Sequence, residues 1–196
     1  MNKQKLYVIG TAVDQSLSPL IFNHWFNKYN IDAVYNYIVI KEKNFTKEVN
    51  KILKEKDLCG INVTIPFKEK IIKKMHKLDR ASKAIGAVNC VSIKNKKYYG
   101  SNSDWTGFAK TLSETKIKKK PRTKNLKKII IIGYGGAAKA ILYSLVSKGE
   151  LYSKHTLVFN RTKKRINIPT FSQKTTQPLE KMKESLDSAH LIINTT

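Results

Sequence analysis

The chain has 196 residues, 41% of them hydrophobic, which is enough for one large domain or two small domains with a buried core. No apolar run approaches the roughly 18 to 20 residues of a membrane-spanning helix, and the apolar stretch in MNKQKLYVIG is too short for a secretory signal. A cytoplasmic protein without a membrane partner is therefore expected. Cys59 and Cys90 are not at metal-ligand spacing, so the sequence predicts two core thiols, without a structural metal or a disulfide framework.

The formal net charge of +24 comes from 38 basic and 14 acidic residues and raises the question of a nucleic-acid partner. Only four of the basic residues are arginines, and the lysines are spread along the chain, whereas phosphate and base recognition favours arginine. A lysine-rich surface with no specific nucleic-acid partner is the preferred interpretation, and a nucleic-acid binder stays as an alternative. The densest basic run, KIKKKPRTKNLKK (116–128), contains Pro121 and predicts a solvated linker.

The first part of the chain alternates short apolar runs with helical periodicity, which is typical of an α/β fold with a mainly parallel sheet. AVNCVSI and KYYGSNS, separated by the polar KNKK, predict a β-hairpin. The predicted strands are 6–10, 34–40 and 58–64, and the predicted helices lie around Ile21 to Tyr29, around Phe45 to Leu53 and from about Phe67.

A further helix is predicted from about Asp104 to Glu114, and the α/β pattern restarts after the basic run with KKIIIIG (127–133). The restart predicts a first domain over 1–103, a connection over 104–126 and a second domain over 127–196.

The segment IIIIGYGGAAKAIL joins a predicted strand to a predicted helix through a glycine-rich turn. Gly133, Gly135 and Ala138 fit the dinucleotide-binding pattern G-x-G-x-x-A, whose small residues allow a tight turn, close approach of the backbone to a pyrophosphate, and close packing of helix on strand. A purely structural turn is the alternative interpretation.

The residues after the next predicted strand, HTLVF (155–159), bear on which dinucleotide binds. An NAD-selective site places an acidic residue there, but no Asp or Glu lies between Glu150 and Glu180, and the strand is followed by NRTKKR. Cations at this position suit a 2′-phosphate, so NADP is favoured. An exposed basic turn explains Lys163 and Lys164 well, and explains Arg161 and Arg165 less well.

Two serines precede a predicted helix that begins at Pro19. Ser18 is predicted to be the N-cap of this helix, a role that leaves Ser16 unexplained. Spare hydroxyls at a helix N-terminus also favour binding of a carboxylate.

Polar residues also interrupt or follow other apolar strands. Asn62 and Thr64 lie at the end of the predicted strand 58–64, where ligands bind in open α/β sheets, and Asn89 lies within the apolar run AVNCV. Asp104 precedes a helix and is predicted as its N-cap.

Taken together, these motifs resemble those of the shikimate dehydrogenases. The resemblance rests on VIGTAVDQSLSP, GINVTIPFKEK, AIGAVNCV, GSNSDWTGF, GYGGAAKA and NRTKKR, which occur in the family's order. It implies an N-terminal, mainly parallel α/β substrate domain followed by a partial Rossmann-type NADP-binding domain. It also implies the reversible NADPH-dependent reduction of 3-dehydroshikimate to shikimate, in aromatic amino-acid and chorismate biosynthesis, in a cleft between the two domains.

The resemblance further implies a role for individual residues. Lys68 and Asp104 would form the catalytic pair, because an ammonium can stabilise and protonate the alkoxide that hydride transfer leaves on a ketone. The substrate-binding residues would be Ser16 and Ser18 for the carboxylate and Thr64, Lys68, Asn89 and Asp104 for the ring. The cofactor-binding residues would be Gly133, Tyr134, Gly135, Gly136, Ala137 and Ala138 at the pyrophosphate and Asn160, Arg161, Thr162 and Arg165 at the adenosine ribose and 2′-phosphate.

The chain also departs from the family's pattern. The family usually has His at Gln15, Thr at Cys90 and Ser103, and Ala at Tyr134, and the larger Tyr134 puts the fit of the cofactor in question. The family continues beyond HLIINTT with further strands and a terminal helix, so turnover by this chain alone is not expected. Two alternatives stay open: a quinate/shikimate dehydrogenase with relaxed substrate or NAD use, and a non-catalytic remnant that needs a second polypeptide. The expected partner is the small-molecule substrate, with a homodimer left open.

Overall fold

The computed structural model describes residues 3–115 and 128–196. Contacts among these residues separate two compact units. Unit 1 comprises Met1–Lys83 and Ala87–Asn102, and unit 2 comprises Ala84–Gly86 and Ser103–Thr196. The predicted basic linker lies outside the described residues, apart from Lys128. Within the described ranges, no helix combines the length and the apolar content that a bilayer crossing requires.

The first unit is built on a six-stranded mixed sheet with the order β2-β1-β3-β5-β6-β4. Strand β1 is parallel to β2 and β3, β5 is antiparallel to β3 and β6, and β4 is parallel to β6. The predicted strands and the hairpin are therefore confirmed. The elements, in chain order, are β1 (Gln4–Gly10), α1 (Ser18–Lys28), β2 (Ala33–Val39), α2 (Phe45–Ile52), β3 (Leu58–Val63), β4 (Lys77–Leu78), α3 (Arg80–Ile85), β5 (Cys90–Lys94) and β6 (Lys97–Ser101).

The helix predicted from about Phe67 is wrong. The chain forms a short 3-10 helix there, at Lys70–Lys74. Phe67 precedes it as a fully buried core residue that stacks on Phe45, with 4.6 Å between the ring centroids. Phe67 and Ile71 are both buried at i, i+4 spacing, which resembles a helical face, but the first of them belongs to a turn closed by the hydrogen bond from the Phe67 amide to the Thr64 carbonyl.

The two cysteines are free and only partly buried, so they are not the core thiols that the sequence predicts. Cys59 lies on β3, where Asn62 has the same intermediate burial. Cys90 is the first residue of β5. Burial nevertheless raises the pKa of the Cys90 thiol, which keeps it protonated.

The second unit has a three-stranded parallel sheet with the order β8-β7-β9. Its elements are α4 (Asp104–Glu114), β7 (Lys128–Ile132), α5 (Gly136–Ser147), α6 (Glu150–His155), β8 (Thr156–Phe159), α7 (Lys183–Leu186) and β9 (Ala189–Asn194). The predicted helices α4 and α5 and the predicted strands β7 and β8 are confirmed. Helix α6 was not predicted, since six residues are too few to show a helical period.

Candidate functional site

The N-terminus of α1 is arranged differently from the prediction. Leu17, with φ −75° and ψ −10°, is the N-cap, and Ser18 is the first helical residue, so the prediction of Ser18 as the N-cap is wrong. The hydroxyl of Ser16 accepts a hydrogen bond from the Ser18 amide at 3.3 Å. The local role expected of Ser18 therefore falls to Ser16, because the helical conformation begins one residue earlier than Pro19 indicates.

Close packing of Gly10 fixes the position of Thr64 at the carboxyl end of β3. A Cβ atom added at Gly10 would lie 2.6 Å from Thr64 Cγ2 and 2.7 Å from Val13 Cγ1. The Thr64 methyl group thus faces the end of β1, and its amide donates to the Ile9 carbonyl at 3.0 Å. Only a residue without a side chain allows the two strand ends to approach so closely.

Main-chain hydrogen bonds bring Lys68 and Asn89 to the same end of the sheet. The Lys68 carbonyl accepts from the Val88 amide at 2.8 Å, and the Asn89 carbonyl accepts from the Val63 amide at 2.9 Å. Both side chains are partly buried. Thr64, Lys68 and Asn89, which the sequence predicts as site residues, are therefore held together by the fold of unit 1.

Asp104 belongs to the other unit, as the first residue of α4. The prediction of Asp104 as an N-cap is wrong, because Ser103 occupies that position and already has helical dihedrals. The Ser103 carbonyl accepts hydrogen bonds from the Gly107 amide at 3.0 Å and from Thr106 Oγ1 at 2.8 Å, so it is the first main-chain acceptor of this helix.

Tyr35, on β2 of unit 1, is a residue near the predicted substrate residues that sequence reasoning missed. Its side chain is only 1% exposed, and its hydroxyl donates to Asn62 Oδ1 at 2.7 Å. Burial and the nearby Cys90 thiol raise the pKa of Tyr35, while a hydrogen bond with the Ser18 side chain acts in the opposite direction. The available signal was the tyrosine itself, since a buried phenol usually finds a hydrogen-bond partner.

In unit 2, the glycine-rich turn joins β7 to α5 as predicted. Gly133 has φ +95°, and an added Cβ would lie 2.7 Å from Thr195 Oγ1, so both its conformation and its packing require glycine. Gly135 is the N-cap of α5, and an added Cβ there would meet nothing within 4 Å. Gly135 is thus not required by packing inside the protein, which fits a position kept small for the approach of a ligand.

The start of α5 is suited to an anion. The helix has no side-chain cap and no acidic residue in its first turn, which contains Gly136, Ala137 and Ala138. Backbone amides and the helix dipole therefore present positive potential on the open side of Gly135. Fully buried Ala138 allows the helix to pack closely on the sheet, as expected for the third position of the pattern.

Tyr134 does not crowd this turn. Its side chain is 4% exposed and packs in the core of unit 2 with Ile166, Ile168 and Phe171. Its hydroxyl accepts a hydrogen bond from the Asn167 amide at 3.3 Å. The bulk that raised a question at this position is directed into the protein.

A pocket of about 290 Å³ lies beside the turn, at the carboxyl ends of β7 and β8. Asn160 is ordered there by hydrogen bonds from its Nδ2 to the Thr162 carbonyl at 2.7 Å and to Thr162 Oγ1 at 3.3 Å. The described residues that line the pocket are Ile132, Gly133, Asn160, Arg161, Thr162, Lys164, Leu179 and Thr196.

Lys164 therefore contributes to the pocket wall, although an exposed basic turn explained this residue well at the level of sequence, and Arg165 does not line the pocket. Arg165 pairs with Thr175 in an isolated antiparallel bridge, flanked by the bond from the Thr176 amide to the Lys164 carbonyl at 2.9 Å. Successive side chains of extended backbone point to opposite sides, which accounts for the difference. The described pocket lining contains two cationic side chains, Arg161 and Lys164, and no acidic side chain, which suits binding of a phosphate group.

The sequence and the structure were both compared with those of known proteins. The sequence profile described as "Shikimate dehydrogenase substrate binding domain" matches residues 8–91. A curated relative, the shikimate dehydrogenase (NADP(+)) of Aquifex aeolicus, is 38% identical over 96% of this chain and 66% of its own length. The crystal structure of shikimate dehydrogenase from the same organism is 35% identical, with a TM-score of 0.76 over 99% of this chain and 69% of that chain.

The chain belongs to the shikimate dehydrogenase family. A solved shikimate dehydrogenase in complex with NADP+ is 28% identical, with a TM-score of 0.73 over 99% of this chain and 67% of that chain. The α/β architecture, with a Rossmann-like second unit, is that of the family. The chain spans between about half and two thirds of the length of the first curated shikimate dehydrogenases that it matches. The profile match includes Ser16, Ser18, Thr64, Lys68 and Asn89, whereas Asp104 and the nucleotide pocket lie beyond it.

Proposed function

We propose that this chain provides the shikimate site and the adenosine half of the cofactor site of an NADP-dependent shikimate dehydrogenase. The reaction is the reversible reduction of 3-dehydroshikimate to shikimate with NADPH. Residues 1–103 act as the substrate domain, 104–126 as the connection and 127–196 as the nucleotide domain. The observation that carries the proposal is the convergence of Thr64, Lys68 and Asn89 at the carboxyl end of β3, where the bond from Val63 to Asn89 and the bond from Val88 to Lys68 hold them.

Substrate binding is assigned to uncharged donors for the carboxylate and to polar side chains for the ring. The start of α1 offers amides and the hydroxyls of Ser16 and Ser18 to the substrate carboxylate, which the helix dipole also favours. Thr64, Asn89 and Asp104 take the ring hydroxyls. A carboxylate bound by uncharged donors at a helix start is oriented without placing a second fixed cation beside Lys68.

Lys68 and Asp104 are proposed as the catalytic pair. The nicotinamide cofactor, when bound, supplies the hydride. Lys68 would then stabilise the developing alkoxide with its ammonium group and donate a proton to that oxygen, and the role proposed for the Asp104 carboxylate is to help hold that ammonium. A lysine suits this role because its ammonium can turn toward a small developing charge and donate from any of three N–H bonds.

The nucleotide is held by the turn and by the basic segment that follows β8. The pyrophosphate meets the backbone from Gly133 to Ala138, while Asn160, Arg161 and Thr162 are assigned to the adenosine ribose and its 2′-phosphate. Lys164 joins them on the pocket wall, and Arg165, which the sequence also predicts for this role, lies outside the lining. The support is the open face of Gly135 and the position of Arg161 on the pocket wall.

Two measurements test the proposal. Calorimetric titration of the 196-residue chain should show binding of shikimate in preference to quinate and of NADP+ in preference to NAD+. Turnover of NADPH with 3-dehydroshikimate should be followed by absorbance for the same protein. Ser16→Ala should weaken shikimate binding, while Ser113→Ala, which changes an exposed serine with a local bond to the Lys110 carbonyl at 2.6 Å, should not. Equal or stronger binding of quinate and NAD+ would overturn the assignment.

Location and assembly follow from the same proposal. We expect the protein to act on small molecules in the cytoplasm, and size-exclusion chromatography distinguishes a monomer from a homodimer.

A further inference from the structure

Tyr35 occupies a junction that links three parts of unit 1. Its backbone is fixed by Asn23 of α1, whose Nδ2 donates to the Tyr35 carbonyl at 2.8 Å and whose Oδ1 accepts from the Tyr35 amide at 2.9 Å. Its ring stacks on Phe22, with 4.6 Å between the centroids and 6° between the planes. Both the main chain and the ring are therefore held by α1, so that the hydroxyl has one defined position.

That hydroxyl holds the Asn62 side-chain amide in place. The phenolic proton is donated to Asn62 Oδ1 at 2.7 Å, which leaves Asn62 Nδ2 to donate to the Asn89 carbonyl at 3.4 Å. The opposite orientation would bring two carbonyl oxygens together at Asn89, so the Asn89 carbonyl sets the orientation of the amide and the Tyr35 hydroxyl holds its Oδ1. The Asn89 carbonyl also accepts from the Val63 amide at 2.9 Å, and the Asn89 amide donates to the Ser101 carbonyl at 3.1 Å.

We propose that Tyr35 is a positioning residue for the shikimate site, and that it acts by holding Asn62 and thereby the main chain of Asn89. The inference rests on the proposed function, because Asn89 is the group assigned to contact a ring hydroxyl. Asn62, although polar and at a strand end, serves here as the connecting side chain, since both ends of its amide are engaged within the protein.

Replacing Tyr35 with Phe isolates the hydroxyl. The variant keeps the ring that stacks on Phe22 and loses the donor to Asn62 Oδ1. The affinity for shikimate should fall about five- to tenfold, which corresponds to the loss of about one net hydrogen bond. In a form of the protein that shows turnover, the change should appear in KM far more than in kcat, because the hydroxyl does not touch the reacting atoms.

A matched control separates positioning from stability. Tyr98→Phe removes another partly buried phenolic hydroxyl of unit 1, which donates to the Leu53 carbonyl at 3.0 Å. Both variants should lose a similar amount of thermal stability, but only Tyr35→Phe should lose affinity for shikimate. An equal loss of affinity in the two variants would mean that Tyr35 matters only for folding.

A double-mutant cycle tests the route through Asn89. In an Asn89→Ala background, Tyr35→Phe should cause no further loss of affinity. The Asn89 side chain that contacts the substrate is then gone, so the position of its main chain no longer affects binding. A full additional loss would show that Tyr35 acts elsewhere, for example through Ser18, and would overturn the proposal.

A ligand-free measurement keeps the inference testable if the proposed function fails. If the unaltered chain does not bind shikimate, the proposed substrate is wrong. Heteronuclear NMR of Tyr35→Phe then still decides the positioning role. The Asn62 side-chain amide and the Asn89 backbone amide should shift in this variant and stay unchanged in Tyr98→Phe. Unshifted signals at both sites would refute the link.

Discussion

Lys164 and Arg165 offer a direct comparison between two adjacent cations at the predicted 2′-phosphate site. Lys164 lines the pocket beside Gly133, and Arg165 pairs with Thr175 and does not line it. We therefore expect Lys164→Ala to weaken binding of NADP+ and leave binding of NAD+ unchanged, with Arg165→Ala having the smaller effect on both.

The expected loss of NADP+ affinity in Lys164→Ala follows from the exposure of the site. Two unit charges about 4 Å apart attract by about 4 kcal/mol at an effective dielectric constant of about 20. Lys164 is exposed, and exposed ion pairs contribute only about 0.2 to 1 kcal/mol after screening. A phosphate monoester carries up to about two charges, so a loss of about 1 to 1.4 kcal/mol, or about five- to tenfold in affinity, is expected.

Calorimetric titration of NADP+ and NAD+ into the two variants and the unaltered chain measures the ratio of the two affinities in each protein. Lys163→Ala is the control for general charge, because Lys163 is exposed on the same segment and does not line the pocket. If Arg165→Ala lowers the affinity for NADP+ more than Lys164→Ala does, the argument from alternating side chains is wrong. An equal loss in all three variants would mean that only the net charge of the segment matters.

Three further changes test other parts of the structure. Gly133→Ala should destabilise unit 2 by roughly 2 kcal/mol or more, because φ is +95° there, whereas Gly135→Ala should leave thermal unfolding unchanged and weaken nucleotide binding. In a form of the protein that shows turnover, Lys68→Ala should abolish most of that turnover with little loss of shikimate affinity, and Lys70→Ala, which removes an exposed ion pair, should change neither. Burial and a hydrogen bond to Glu55 raise the pKa of Tyr7 from 10.0 to about 12. The contribution of this tyrosine to the free energy of unfolding is therefore complete below pH 10 and is lost as the pH rises to about 12. In denaturant titrations, the stability difference between Tyr7→Phe and the unaltered chain should narrow over that interval.

The strands and the nucleotide-binding turn were predictable because their signals are local. Runs such as IIIIG carry their own period and end in a glycine whose conformation other residues rarely adopt. The β-hairpin was predictable for the same reason, since the polar KNKK separates two apolar runs and Asn95 and Lys96 adopt positive φ in the turn. The failure at Phe67 was also local in origin, because buried residues at i and i+4 look alike in a helix and in a turn followed by a 3-10 helix.

The contacts of the candidate site were less predictable because they depend on sheet order. Tyr35 and Asn62 are 27 residues apart and lie on β2 and β3, which are not neighbours but flank β1. No period within either strand indicates that their side chains meet across the intervening strand. The apolar run AVNCV drew attention to Asn89 and the family resemblance supplied its role and that of Lys68, whereas the hydrogen bonds that hold Asn89 in place required the fold.

Tyr134 shows why the direction of a side chain matters more than its size at the nucleotide-binding turn. The sequence indicates bulk beside the pyrophosphate, but the ring packs on Ile166 and Phe171, and its hydroxyl holds the Asn167 amide. The open side of the turn is the side toward which a Cβ at Gly135 would point. Since Tyr134 faces the core while Gly135 faces open space, a large residue is accommodated at position 134, whereas a side chain at position 135 would occupy the space proposed for the ligand. The turn therefore tolerates Tyr134 for the same geometric reason that makes Gly135→Ala a test of ligand approach.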